Sequence, residues 1–113
     1  ADTSLTHRGL RLDASGRIAT VDGAELVLTR SEFDLLEALL RSGRRVRSKT
    51  DLTISLRGTS YHAEASVDEA DKRAIEAHMT NLRRKLGDDP TEPRFIETVR
   101  GVGYRLTLEP AAQ

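Results

Sequence analysis

The stretch from Asp71 to Leu86 constrains the fold most, because its residues repeat at the spacing of a helix. An apolar stripe recurs at i, i+4, i+7 and i+11 and consists of Ile75, Met79, Leu82 and Leu86. A second row with the same spacing falls on the opposite face and consists of Arg73, Ala77, Thr80 and Arg84. Its two end residues are basic, and its two middle residues have short side chains. The pattern predicts an amphipathic helix whose outer face suits a negatively charged partner, with a solvated face of a core helix as the alternative.

Two shorter helices are predicted ahead of this one, each opened by a local capping pattern. Thr29 and Glu32 have the spacing of a capping box, and the helix they open runs to about Ser42. Ser48 is a suitable N-cap for the second helix, with Asp51 three residues on. The three helices therefore follow one another along the middle of the chain.

The start of the third helix is left open by the sequence. Ser66 with Glu69 forms another capping pattern and favours a start near Val67, whereas a start near Lys72 fits equally well. The connection at 57–70 lacks apolar periodicity for much of its length and is partly acidic. It is therefore predicted as a long loop.

Strand patterns flank the helices on both sides. Residues 10–28 read as short strands with a hairpin signal at Asp22-Gly23, which predicts a small antiparallel sheet. Residues 94–100 and 104–108 read as a C-terminal hairpin around Gly101-Val102-Gly103. The sequence leaves open which face of the first hairpin strand points inward: the face with Phe95 and Val99, or the face with Ile96 and Thr98.

Length and composition limit the remaining possibilities. A chain of 113 residues is one domain, predicted at 10–108, with a linker remnant or disordered tail at 1–9 and a short tail at 109–113. His7 is expected to be solvated. There is no cysteine, and no apolar run is long enough to span a bilayer, so neither a thiolate metal site nor a membrane association is predicted. The 18 basic and 18 acidic residues cancel, so any binding field must come from local patches.

The predicted order is a small N-terminal antiparallel sheet, three helices and a hairpin, which is an α+β winged helix-turn-helix. In such a unit the last helix enters the major groove of DNA. Here that helix is 71–86, and the hairpin at 95–108 would lie on the minor groove or the backbone.

Four segments in order resemble the OmpR/PhoB-type winged-helix effector domain of two-component response regulators. They are LTRSEFDLL at 28–36, RSKTDL at 47–52, RAIEAHMTNLRRKLGDD at 73–89 and ETVRGVGYRL at 97–106. The resemblance covers about residues 10–108. It implies a four-stranded N-terminal sheet, cytoplasmic location, and sequence-specific binding to direct repeats in promoter DNA as a dimer. It also implies phosphorelay through an upstream receiver domain, which this chain does not contain, and a contact of the 57–70 loop with RNA polymerase.

Carried over by position, the resemblance and the helix pattern nominate ten DNA-binding residues: Arg73, Ala77, His78, Thr80, Asn81, Arg83, Arg84, Thr98, Arg100 and Tyr104. Cationic side chains suit phosphates, and Asn81 suits an adenine edge. Several alternatives stay open. Thr80 and Asn81 are either base readers or neutral surface, and His78 either donates to a phosphate or packs. Arg83 either touches DNA or pairs with an acid such as Glu97.

A second set of basic residues flanks the turn between the first two helices: Arg44, Arg45 and Arg47. They either meet phosphates or form a solvated basic loop.

Three functions compete at this point. The first is DNA binding in transcription control. The second is a winged-helix module for protein–protein interaction with weak or no DNA binding, which the zero net charge and the neutral Thr80 and Asn81 allow. An enzyme is not predicted, because no nucleophile motif or phosphate-binding glycine loop occurs, and no cofactor is expected.

Overall fold

The computed structural model describes residues 4–58 and 66–109, in which a sheet, three helices and a hairpin follow one another. The helices are α1 (Arg30–Ser42), α2 (Lys49–Arg57) and α3 (Glu69–Leu86). The strands are β1 (Leu5–His7), β2 (Leu10–Asp13), β3 (Ile18–Val21), β4 (Ala24–Leu26), β5 (Ile96–Val99) and β6 (Gly103–Leu106). The predicted winged helix-turn-helix architecture is confirmed.

The N-terminal sheet is an antiparallel meander in the order β1-β2-β3-β4. Its alternation follows the sequence, since Leu10 and Leu12 are fully buried while Arg11 between them is exposed. One face of the sheet therefore covers the helical core, and the other faces solvent.

The predicted tail at 1–9 is wrong from Leu5 onward, because β1 pairs with β2. His7 is only 3% exposed, not solvated, and its Nε2 lies 2.9 Å from Thr107 Oγ1. Burial lowers the pKa of His7, against a smaller opposing effect of the Glu109 carboxylate. The burial of His7 depends on a partner 100 positions away, so no local pattern reveals it.

The predicted caps of the first two helices are confirmed. Thr29 Oγ1 accepts from the Glu32 amide at 3.2 Å, and Glu32 Oε1 accepts from the Thr29 amide at 2.9 Å. Ser48 and Asp51 make the same reciprocal pair at the start of α2. Each box satisfies amides at a helix start that have no intrahelical partner.

Of the two predicted starts of the third helix, the one near Val67 is the closer, but Ser66 is not its cap. The helix begins at Glu69, with Asp68 as its N-cap. Asp68 Oδ1 accepts from the Asp71 amide at 2.9 Å, and Asp71 Oδ2 accepts from the Asp68 amide at 3.0 Å. Asp71 also accepts from Arg57 of α2 at 3.0 Å, so the helix start is tied to its neighbour as well.

The core lies where α1, α2 and α3 meet the hairpin and the inner face of the sheet. Its fully buried side chains include Leu35, Leu36, Leu39, Leu52, Leu82, Phe95 and Ile96. Phe95, just before β5, and Ile96, its first residue, are both buried, so the core side cannot be read by simple alternation from Phe95 into the strand. The buried carboxylate of Asp88 accepts from their amides at 3.2 and 3.0 Å, which holds the chain in this unusual entry to β5.

The hairpin of β5 and β6, called the wing below, is joined to the approach to α2 through its backbone. The amide of Arg47 donates to the Tyr104 carbonyl at 2.8 Å, and the amide of Tyr104 donates to the Arg47 carbonyl at 2.9 Å. A side chain at Gly103 would overlap the Arg47 carbonyl, so only glycine permits this approach. The wing is thereby fixed beside the helices.

Of the predicted tail at 109–113, Glu109 alone is described, and its Oε1 accepts from the Arg8 amide at 3.2 Å. Residues 59–65 of the predicted loop at 57–70 lie outside the described residues, which resume at Ser66.

Candidate nucleic-acid interface

The two faces predicted for the third helix are confirmed. The apolar stripe of α3 is buried, at 6% exposure or less for each member. The opposite row is exposed throughout: Arg73, Ala77, Thr80 and Arg84. The helix therefore offers solvent a surface with cations at both ends and small side chains between them.

The middle of this surface is shaped by two internal contacts. Thr80 Oγ1 donates to the Glu76 carbonyl at 3.0 Å, so its hydroxyl keeps acceptor capacity toward a partner while its proton is engaged. The exposed Glu76 carboxylate lies 3.5 Å from Lys49 Nζ of α2. Asn81 is half-buried at the side of the row. The short side chains leave room for a duplex to approach the helix backbone.

His78 does not belong to the outer row. It is half-buried and lines a cleft of about 180 Å³ between α2 and α3, together with Thr53, Leu56 and Asp71. This position favours the packing alternative left open by the sequence.

Arg83 points toward the wing. One of its terminal nitrogens donates to the Ile96 carbonyl at 3.0 Å and to Thr98 Oγ1 at 2.9 Å. The alternative of a pairing with Glu97 is not formed, because that carboxylate accepts from Arg105 at 2.6 Å and lies 3.4 Å from Arg44. The guanidinium also lies over the Tyr104 ring, 5.7 Å from its centroid.

Burial lowers the pKa of Arg83, although nearby acids oppose the effect. Its Nε is buried with no hydrogen-bond partner within the part of the chain that the structure describes. Tyr104 is 7% exposed. Arg83 and Tyr104, two of the ten nominated residues, therefore lie at the junction between α3 and the wing and not on the exposed outer face of α3.

The tip of the wing is the second exposed element of the candidate interface. The Val102 amide donates to the Val99 carbonyl at 2.9 Å and closes the turn, with Gly101 at a φ of 78°. Arg100 and Thr98 are exposed, and Val102 is 57% exposed. The tip therefore presents a cation and an apolar side chain next to each other.

A notch of about 280 Å³ separates the wing from the helices. It is lined by Ser48–Thr50 at the start of α2, by Lys72 and by wing residues 98–99 and 101–104. Lys49 and Lys72 were not nominated from the sequence, although both lie beside nominated elements. Their charges and the amide-rich start of α2 make the notch a candidate seat for a phosphate of the DNA backbone.

The side chains of two of the three arginines in the turn before α2 make hydrogen bonds within the domain. Arg44 donates to the Leu106 carbonyl at 2.8 Å, and Arg47 donates to Ser42 Oγ at 2.7 Å and Ser55 Oγ at 2.9 Å. Arg45 is exposed. A role in phosphate contact is therefore most accessible to Arg45.

Across residues 4–58 and 66–109, no group of three or more His, Cys, Asp or Glu side chains is placed to hold a metal ion. Within the same ranges, no helix has the length and apolar character needed to cross a membrane.

A family model described as "Transcriptional regulatory protein, C terminal" matches residues 23–106. The chain belongs to this family. This transcriptional regulatory domain is 34% identical over 107 residues to the sensory transduction protein RegX3 of Mycolicibacterium smegmatis, covering 94% of this chain and 44% of that protein. The chain spans about half the length of the curated relatives it matches.

Solved structures of other members have the same fold. The RstA DNA-binding domain of Klebsiella pneumoniae, solved in complex with the RstA box, has a TM-score of 0.77 and 28% identity, over 93% of this chain and 97% of that one. The DNA-binding domain of CpxR from E. coli has a TM-score of 0.76 and 32% identity, over 95% and 98%. The chain is therefore similar to two DNA-binding domains, one of them solved in complex with the RstA box.

Proposed function

We propose that this domain binds double-stranded DNA in a sequence-specific manner, as the output domain of a two-component response regulator that controls transcription. The observation that carries the proposal is the exposed row of α3 beside the exposed tip of the wing. In this arrangement α3 occupies the major groove, while the wing lies on the minor groove or the backbone next to it.

The side chains divide into anchoring and reading groups. Arg73 and Arg84 lie at the two ends of the row and contact phosphates, and Arg100 reaches a phosphate or the minor groove. Asn81 is suited to the N6 and N7 atoms of adenine, and Ala77 to a thymine methyl group. Because the reading groups are few and small, anchoring contributes more of the affinity than reading does.

The partners implied by the family form part of the same proposal. A receiver domain upstream, phosphorelay from a sensor kinase, dimer formation on direct repeats and a cytoplasmic location would accompany this output domain. A contact between the 57–70 loop and RNA polymerase is also proposed, although much of that loop lies outside the described residues. The relative RstA was solved in complex with its DNA box, which supports the DNA part of the proposal.

Fluorescence anisotropy with a pool of labelled promoter duplexes tests the proposal. The logarithm of affinity falls linearly with the logarithm of salt concentration, and each phosphate contact makes this fall steeper by about 0.9. Arg73→Ala and Arg84→Ala are each expected to make the fall shallower by about 0.9. Arg30→Ala is the matched control, because Arg30 is 90% exposed at the start of α1 and lies 3.8 Å from Asp34.

Two results would count against the proposal. Unchanged affinity and slope in the Arg73 and Arg84 variants would show that DNA binds elsewhere. No salt-dependent binding to any duplex would favour the protein–protein module, for which the neutral middle of α3 provides the surface.

A further inference from the structure

Arg83 touches both strands of the wing from its position near the end of α3. One terminal nitrogen bonds to two acceptors in β5, the Ile96 carbonyl and the Thr98 hydroxyl. The guanidinium carbon lies over the ring of Tyr104 in β6, 5.7 Å from its centroid, within the range of a cation–π contact. A single side chain therefore connects the helix to each half of the wing.

The opposite side of the wing is held in a different way. Reciprocal backbone bonds between Arg47 and Tyr104 join β6 to the approach to α2. Arg44 adds a bond to the Leu106 carbonyl of the same strand at 2.8 Å, so these contacts with the approach to α2 reach β6. The bonds from Arg83 reach β5 instead, at Ile96 and Thr98, and connect the other strand of the wing to α3.

The chemistry of these contacts requires arginine. A planar guanidinium can donate from its edge to oxygen acceptors and stack by its face on an aromatic ring at the same time. A lysine ammonium has neither the plane nor the fork, although it carries the same charge. The terminal nitrogen of Arg83 that donates to Ile96 and Thr98 is already hydrogen-bonded in the free domain.

We infer that Arg83 is a positioning residue for DNA recognition and not a DNA contact: it sets the angle between α3 and the wing. The inference rests on the proposed DNA binding by this domain. With the angle fixed, Arg100 at the tip meets the duplex while the outer row of α3 lies in the major groove. Without it, the wing samples other angles and the contribution of Arg100 is lost.

A double-mutant cycle between Arg83→Lys and Arg100→Ala tests this coupling on a promoter duplex at fixed salt. Arg100→Ala alone is expected to lower affinity about tenfold. In the Arg83→Lys background the same change is expected to cost less than about threefold, because the wing no longer delivers Arg100. Arg30→Lys is the matched control, since Arg30 is 90% exposed at the start of α1, outside the proposed interface, and its background should leave the tenfold cost unchanged.

Two outcomes of the cycle would overturn the inference. Wild-type affinity in Arg83→Lys would mean that Arg83 acts through its charge alone. A full tenfold cost of Arg100→Ala in both backgrounds would mean that Arg83 does not position the wing. If Arg83→Lys fails to fold, Thr98→Val replaces it, because that change removes one acceptor and retains the side-chain shape.

A measurement without DNA separates this inference from the proposed function. Residual dipolar couplings of backbone amides report the orientation of the wing relative to α3 in the free domain. Reduced or reoriented couplings in the wing of Arg83→Lys, with those of α3 unchanged, would support the positioning role. Identical couplings would refute it, whereas absence of DNA binding by the wild-type domain would refute the proposed function alone.

Discussion

Replacement of Lys85 by methionine is expected to destabilise the domain in a pH-dependent way. Lys85 Nζ at the end of α3 donates to Glu32 Oε1 at 2.6 Å, and the Glu32 side chain is only 4% exposed. The same carboxylate oxygen caps the Thr29 amide at the start of α1. Methionine keeps the volume of the stem but leaves the buried carboxylate without its ammonium partner.

The expected magnitude lies between the values for buried and exposed pairs. Removing one partner of a fully buried ion pair costs about 3–5 kcal/mol, and exposed pairs contribute about 0–1 kcal/mol. Lys85 is 29% exposed, so we expect a loss of about 2 kcal/mol at neutral pH. With a urea m-value of about 2 kcal/mol/M, the unfolding midpoint should fall by about 1 M.

The pH dependence follows from the direction of the Glu32 shift. Burial raises the pKa of Glu32, but the hydrogen bonds from Lys85 and from the Thr29 amide outweigh it, so the pKa lies below its ordinary value of 4.5. A carboxylate with a depressed pKa stabilises the fold above its unfolded value, and this contribution disappears as pH falls through the folded value. The difference in the free energy of unfolding between the wild type and Lys85→Met should therefore become smaller below pH 4.5.

Urea unfolding followed by circular dichroism at neutral and acidic pH measures both effects. Lys72→Met is the matched control, because Lys72 pairs at 3.4 Å with Glu69, whose side chain is 78% exposed. The control should change stability far less. An equal loss in both variants, or a Lys85→Met loss that stays constant down to pH 3 or so, would refute the assigned role of the pair.

Four further substitutions, one of them a control, test other parts of the fold. Gly103→Ala should lower the free energy of unfolding by about 2–3 kcal/mol by overlap with the Arg47 carbonyl, whereas Gly101→Ala, in open space, should cost only about 1 kcal/mol; urea unfolding compares them. Leu82→Ala, at a fully buried position of α3, should cost about 3 kcal/mol in the same assay. Asp88→Asn should raise amide hydrogen exchange at the start of β5, since an amide replaces one acceptor oxygen; unchanged exchange would contradict its capping role.

The sequence predicted the elements whose signals are local. The capping box at Thr29 and the N-cap at Ser48 each lie within four residues, and both are formed as expected. The stripe of α3 follows from helical periodicity alone, and its burial confirms the predicted faces. For the start of α3, the spacing of Asp68 and Asp71 was present as a signal, but the overlapping pattern at Ser66 concealed it.

Features that depend on distant partners were not predictable in this way. The short strand β1 has three residues; it pairs with β2, and its last residue, His7, is buried against Thr107. Arg83 looked like a helix-surface cation, yet its acceptors lie 13 and 15 positions further along the chain. The notch with Lys49 and Lys72 arises only when the wing folds back against the helices. Such groupings are properties of the tertiary structure, so periodicity and spacing do not contain them.

The central claim is that the outer row of α3 and the tip of the wing contact one duplex together. An NMR titration of the ¹⁵N-labelled domain with a promoter duplex tests it most directly, because amide shifts report contact residue by residue. The expected changes cluster at Arg73, Ala77, Thr80 and Arg84 and at the wing tip, residues 100–102, and leave α1 and the N-terminal sheet unaffected. Changes concentrated on the sheet or α1, with α3 and the wing unperturbed, would contradict the account.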